Sequence, residues 1–299
     1  MATSGPGVRE LLDDGLRYEK AGVPERALAC YQAALEATAD PALISESLRR
    51  QAHVHRTRCE WDLAIDAARR SAAAAETADS ADLLAEAWNA EAAVHQSRGN
   101  FDAAITLYDR MLAAIPYGGI RGVALQNLAA IYATRGQFDD AERHFQRAYA
   151  AFEEAGDRWR MGYVLNNLGR LAFDRGNAAE AEVILQNATL LAREIQDLEL
   201  LAITRVNYAE ALLAQGDHEK AEAEASASLG HFGAAENQWR RIECMRLLGD
   251  VSLHRKQTDP ARRFFQAALA IAESIGAQVE HQQLLGRLEQ LGADESRTG

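Results

Sequence analysis

ALQNLAAIYATRGQFDDAERHFQRAYAAFEEA, residues 124–155, holds two apolar stripes separated by a turn. Leu125, Leu128, Ile131 and Tyr132 fall at helical spacing, and Gly136 stands where a left-handed cap ends a helix. Phe138 opens the next segment, with Asp139 and Asp140 in a first turn where carboxylates suit the helix dipole. Ala141, Phe145, Ala148 and Phe152 then trace one face of a second helix. The stretch predicts a helical hairpin.

Working outward, the same pattern recurs along the chain. Ala27, Ala64, Ala104, Ala141, Ala181, Ala221 and Ala261 follow one another at spacings of 37, 40, 37, 40, 40 and 40 residues. Each lies twelve residues after a small residue: Gly15, Ala52, Ala92, Ala129, Gly169, Ala209 or Gly249. A fixed period of this length is the mark of stacked units, because a lone hairpin cannot bury both of its faces. Ala129 and Ala141 are expected to face each other where the two helices cross, since larger residues would push the backbones apart. Tyr31, Tyr108, Phe145 and Phe265 are expected to fill the space between successive units. Gly22, Gly99, Gly136, Gly176 and Gly216 share one position after the first helix, where Cys59 and Lys256 stand in the second and seventh units. Pro116 marks a helix stop, and Asp259 before Pro260 reads as an N-cap before the first helical position.

Composition agrees with an all-α reading. Ala, Leu, Glu, Arg and Gln dominate, only five prolines occur, and 48% apolar residues suffice for a core. The net charge of −12, with no run of Lys or Arg longer than two, argues against nucleic-acid binding and suits solubility. Cys30, Cys59 and Cys244 are odd in number and sit inside helical patterns, which argues against a disulfide framework. The start, MATSGPGVRE, lacks a basic patch before an apolar run, and no stretch of 18 apolar residues occurs. A soluble, cytoplasmic protein with no membrane contact is the expectation. Residues 1–7 are expected to be disordered, 8–275 to form seven repeats, 276–292 a capping helix and 293–299 a disordered tail. In that cap Val279, Leu284, Leu285, Leu288 and Leu291 form the apolar face, with Glu280, Gln282, Gln283 and Glu289 polar, as end-capping of a solenoid requires.

These positions resemble the tetratricopeptide repeat family across roughly residues 8–275. The likeness is strongest in the fourth and fifth units, where NLGRLAFDRGNAAEAEVILQNA (residues 167–188) carries Leu168, Gly169, Gly176, Ala181 and Ala188 in the family's places. The family period is about 34 residues, so the six extra here add about one and a half turns of helix. This longer variety is similar to the repeats of kinesin light chains and to the helical arms of large bacterial signal-transduction ATPases. GDRWRMGYVLNNLG (residues 156–169) is particularly like the latter. The resemblance implies a right-handed superhelix with the first helices lining an inner groove. No ATPase, DNA-binding or catalytic segment accompanies the repeats.

Three asparagines, Asn127, Asn167 and Asn207, share one phase of the first helix in consecutive units. Asparagine is a mediocre helix former, so three in register suggest a task. One reading is a column of amides offering donors and acceptors to a passing peptide, as the resemblance implies for the arms of kinesin light chains and of the O-linked N-acetylglucosamine transferase. The other is that each amide bonds the backbone of the next hairpin. Three amide contacts at ~0.5–1.5 kcal/mol each fall short of the ~8 kcal/mol of micromolar binding, so an anchor is needed as well. Gln126, Tyr163, Asn166, Arg170, Arg246 and Asp250 are expected on the same surface, with Arg170 and Arg246 gripping a carboxylate and Tyr163 giving an aromatic contact. The alternative for each is a solvated residue.

Arg49, Arg50, His53 and Arg56 form a basic stripe, either a plain charged helix face or a seat for an acidic segment. His53, His55, Cys59 and His95 invite a zinc reading, but His55 and His95 occupy the place of Tyr18 and Tyr132, so replacement of a packing aromatic explains them without metal. No Gly-rich phosphate loop, nucleophile elbow or H-E-x-x-H occurs, and no cofactor is expected. The function expected is a non-enzymatic scaffold that binds a peptide or helical segment of a partner protein in its groove. The alternative is a receptor that takes up a signalling peptide or small molecule and changes superhelical pitch, as in bacterial quorum-sensing regulators with similar repeats. Some of those carry an N-terminal DNA-binding domain, which is expected to be absent here because the first hairpin starts by about residue 8. A third reading is homodimer formation.

Overall fold

The computed structural model describes residues 7–235 and 237–298, with side chains described as far as residue 292. It divides into two compact units, Met1–Ala155 and Gly156–Gly299. The first contains α1 (Val8–Lys20), α2 (Pro24–Glu36), α3 (Pro41–Thr57), α4 (Trp61–Thr77), α5 (Ala81–Ser97), α6 (Phe101–Ala114), α7 (Gly119–Thr134) and α8 (Phe138–Glu154). The second contains α9 (Arg158–Asp174), α10 (Ala178–Glu194), α11 (Leu198–Ala214), α12 (His218–Ala234), α13 (Gln238–His254), α14 (Thr258–Ile275) and α15 (Gln278–Thr298). No strand occurs among the described residues. The fold is an all-α solenoid of seven hairpins, α1–α2 through α13–α14, followed by one further helix that packs on α14.

The loops explain the period. Gly22, Gly99, Gly136, Gly176 and Gly216 all take positive φ, and their amides close the preceding helix; Gly176 donates to the Phe173 carbonyl at 2.8 Å. Cys59 and Lys256 adopt the same left-handed geometry, φ 59° and 60°, despite their side chains. That geometry costs an L-residue ~1–2 kcal/mol, while glycine gives back ~0.5–1 kcal/mol in unfolded-state entropy. Lys256→Gly should therefore stabilise by up to ~1 kcal/mol and Gly136→Ala should destabilise by a similar amount, read as shifts in the urea midpoint. The two short spacings of 37 arise in the second helices: α2 has 13 residues and α6 has 14, against 17 in α4 and α8. Pro41 at the start of α3 and Pro116 after α6 bound them.

Starts in the second unit are set by a side-chain device. Asp157, Asn177, Asp197, Asp217 and Asn237, twenty residues apart, each accept a hydrogen bond from the backbone amide three residues on. Thr258 already opens α14 with Gln257 as its cap, so Asp259 and Pro260 lie inside the first turn and Asp259 is not the cap expected.

Packing extends one expectation. Tyr31, Tyr108 and Phe265 do share core clusters with the next element, with Val54, Leu128 and Leu284 respectively, and the aromatics of the second helices also pack inside their own hairpins. A Cβ built on Gly15 would stand 2.3 Å from the Tyr31 ring, one on Gly249 2.3 Å from the Phe265 ring and one on Gly122 2.6 Å from the Phe152 ring, each within one hairpin. The small residue is thus a seat for a ring sixteen or thirty residues later in the same hairpin. Tyr31 and Tyr108 are wholly buried, and their hydroxyls donate back to Glu19 (2.9 Å) and Gln96 (3.2 Å) on the first helix of the same hairpin. Burial raises both phenols well above their ordinary value. Ala129 and Ala141 are fully buried. Gly162 plays the corresponding part between hairpins, with Leu200 of α11 against it.

Successive first helices touch: α1 with α3, α3 with α5 and α5 with α7 in the first unit, α9 with α11 and α11 with α13 in the second. The second helices make no comparable approach among the described residues. The first helices therefore line the tighter side of each stack.

The last helix runs to Thr298, past residue 292 where a tail was expected. Leu284 and Leu291 are buried and Leu288 packs beside them, but Val279 is 65% exposed and leaves the apolar face, its place taken by Ala277. The expectation for residues 1–6 lies outside the described residues. All three cysteines are free. Cys244 is fully buried and burial pushes its thiol up to about 12, whereas Cys59 is exposed. A thiol reagent at pH 8 should label Cys59 directly and Cys244 only when α13 unfolds.

Candidate functional site

The polar surface of the second unit is built from the first helices. Asn166 on α9 and Asn207 on α11 meet, the Asn207 Nδ2 donating to the Asn166 Oδ1 at 2.7 Å. That bond leaves the Asn207 Oδ1 and the Asn166 Nδ2 without a protein partner among the described residues, and neither is sealed from solvent. Asn167 is half-buried and makes no hydrogen bond with a described residue. An acceptor on α11 and two sets of amide donors on α9 thus have no protein partner among the described residues, the Asn166 donors on a side chain that is itself largely buried.

One turn along, a relay of charge crosses four helices. Arg170 of α9 donates to Glu210 Oε2 at 2.7 Å and to its own neighbour Asp174 at 3.0 Å. Arg246 of α13 donates to the other oxygen of Glu210 at 2.7 Å and to Asp250 at 3.1 Å. Arg287 of α15 closes the row at 3.4 Å from Asp250. Arg170 and Arg246 do grip a carboxylate between them, and it is the chain's own Glu210. Burial raises the Asp250 carboxyl above its ordinary 3.8, opposed by Arg287 and Arg246. The native state therefore holds that proton more tightly than the unfolded chain does. Asp250 adds stability as pH falls towards 3.8 and withdraws it as pH rises through its native value.

Tyr163 packs against Trp159 with ring centroids 4.5 Å apart and ring planes tilted by 53°, and the Trp159 indole donates to Asp197 at 2.6 Å. Burial raises the Tyr163 phenol. At the other end a cavity of about 320 Å³ opens between α13 and α15, lined by Trp239, Arg240, Ile242, Glu243, Arg246, Glu280, Gln283 and Leu284.

Asn127 and Gln126 belong to α7 in the first unit. Asn127 bonds no backbone: its Nδ2 donates to Asn89 Oδ1 on α5 at 3.1 Å. The amide holds a side chain of the preceding hairpin, while Gln126 is half-buried with no partner among the described residues. The basic stripe is largely answered within the fold, Arg49 by Glu86 (2.9 Å), His53 by Glu19 (3.2 Å) and Arg56 by Ser97 (3.3 Å). His55 meets Glu60 at 2.6 Å, whose carboxyl that bond draws down, and His95 lies 3.8 Å from Glu91. No cluster of three or more His, Cys, Asp or Glu suited to a metal occurs among the described residues. Nor is any described helix long and apolar enough to cross a membrane.

Sequence reasoning missed Glu210 and Asn89. Glu210 was detectable, since Arg170, Glu210 and Asp250 stand 40 residues apart in one phase, a cation followed by two carboxylates.

Among the solved structures that share the fold are three with different assigned names. The apo form of the quorum sensor NprR from B. thuringiensis is 11% identical with a TM-score of 0.69, over 88% of this chain and 76% of that one. BtubC (BKLC) from P. vanneervenii is 21% identical with a TM-score of 0.60, over 73% and 91%. A Rap protein complexed with Competence and Sporulation Factor is 15% identical with a TM-score of 0.64, over 98% and 76%. No curated protein matches the chain by sequence. The family model named tetratricopeptide repeat matches residues 83–154, 160–231 and 201–274. Covered by that model over more than half its length, and built of seven hairpins of that pattern, the chain belongs to the tetratricopeptide repeat family.

Proposed function

We propose that this protein is a non-enzymatic interaction scaffold whose second unit captures a peptide or helical segment of a partner protein along α9, α11 and α13. One observation carries the reading: the Asn166–Asn207 bond leaves a free acceptor and free donors on adjacent helices, with unpartnered Asn167 beside them. A satisfied structural pair would leave nothing to offer. Arg170, Arg246 and Asp250 frame the surface, and their charges are balanced within the row by Asp174, Glu210 and Arg287. The frame therefore sets shape more than net charge, and specificity falls to the amides and to Tyr163.

The test is selection from a random peptide library on the full chain. Replacing Asn166, Asn167 and Asn207 together by alanine should weaken a selected peptide at least tenfold, about 1.4 kcal/mol or more, with helicity unchanged. Unaltered affinity removes these amides from the function.

A second reading is a receptor for a signalling peptide. It is favoured by the likeness to a quorum sensor and to a Rap protein solved with Competence and Sporulation Factor. Solution scattering separates the two: a receptor compacts when its ligand is added, whereas a passive scaffold keeps its radius of gyration.

A further inference from the structure

We infer that the cavity between α13 and α15 binds a cationic side chain, a guanidinium or ammonium group, of the segment that the second unit captures. The inference rests on the peptide-binding reading and supplies the anchor that amide contacts alone do not provide.

The first argument is charge. Of the charged groups that line the cavity, Arg240 is matched by Glu243 at 2.8 Å, and Arg246 by Glu210 and Asp250. Glu280 is the exception: it makes no ion pair or hydrogen bond with any described residue. A carboxylate left unmatched at a cavity wall, in a chain of net charge −12, selects a cation.

The second argument is the indole. Trp88 has the Arg110 guanidinium 4.4 Å from its ring centroid, and Trp159 has Arg160 at 5.9 Å. Trp239 stands 80 residues after Trp159 in the same phase, is 55% exposed, and has no cation over its ring among the described residues. Its π-face is free to receive one from outside. Ile242 and Leu284 give the cavity an apolar floor for the methylene stem of arginine or lysine, and Gln283 adds an amide at the wall. A volume near 320 Å³ suits one long side chain, not a helix.

The probe is N-acetyl-arginine amide, with N-acetyl-citrulline amide as its uncharged counterpart of nearly the same shape. Binding is followed by the 1H–15N shifts of the Trp239 indole and the Gln283 amide, assigned with the Trp239→Leu variant. The arginine probe should bind saturably at millimolar concentration, and citrulline at least tenfold more weakly. Glu280→Gln should cut the arginine affinity at least fivefold and leave citrulline unchanged. Both substitutions lie at exposed or half-exposed positions, and circular dichroism verifies that helicity is kept. Equal binding of the two probes, shifts that never saturate, or an affinity indifferent to Glu280→Gln overturns the inference. A selected peptide that still depends on Asn166 and Asn207 after such a result would leave the peptide-binding reading standing. A cavity that takes arginine in a chain that selects no peptide would sink that reading and not the cavity.

Discussion

Gly249→Leu should remove about 3 kcal/mol of stability, at the top of the ~1–3 kcal/mol range for an overfilled core. Even a Cβ at this position would lie 2.3 Å from Phe265 Cε1, and the Phe265 ring is fully buried, so it has no room to turn aside. Gly249→Ala pits two effects against each other. Alanine gains ~1 kcal/mol of helix propensity, while the clash costs ~1–3 kcal/mol, so the net sign is destabilising. Gly230, inside α12 with nothing within 4 Å of its built Cβ, supplies the control: Gly230→Ala should stabilise by up to ~1 kcal/mol. One chemical change then has opposite signs at two helical glycines. In a repeat protein the damage is local. Amide exchange should show α13 and α14 losing protection first, and a Gly249→Leu protein as stable as its parent would refute the ring-on-glycine packing.

Glu210→Ala should be the next most damaging change, at about 2–3 kcal/mol. The value follows from exposure. Arg170 is 44% exposed, and an ion pair of that kind contributes only ~0–1 kcal/mol. Glu210 and Arg246 are far less exposed, 12% and 28%, and stripping the partner from a buried charge costs ~3–5 kcal/mol. Arg246 retains Asp250, which softens the loss. Glu210→Gln should do less harm, because the amide oxygen still accepts from one arginine. Raising salt to 1 M should barely change the parent's dependence on Glu210, since the contact is sheltered from counterions. A loss below ~0.5 kcal/mol would place the relay among ordinary surface pairs.

Much of the architecture was legible because its causes are local. A helix face is written at 3.6-residue spacing, and the left-handed loop position is written as glycine in five of seven hairpins. Even Cys59 and Lys256 could be assigned to that position by phase alone, and the backbone there is left-handed as the phase required. The capping residues at 157, 177, 197, 217 and 237 carry an equally plain rhythm of 20 residues. The candidate site was less legible. Residues Asn127, Asn167 and Asn207 are indistinguishable by phase, yet one is tied to Asn89, one is open and one is half-satisfied by Asn166. Their differences come from what the preceding hairpin places opposite, 38 to 41 residues away.

From the chain alone came the helical hairpin, its number of copies and its loop chemistry, because each depends on residues within one or two turns of one another. Tertiary structure alone decided which charges are spent and which are free. Whether Arg246 reaches a ligand or Glu210, and whether Glu280 stands unmatched beside Trp239, depends on side-chain distances of a few ångströms between helices. A hydrogen bond changes hands over such a distance, and no periodicity of sequence resolves it.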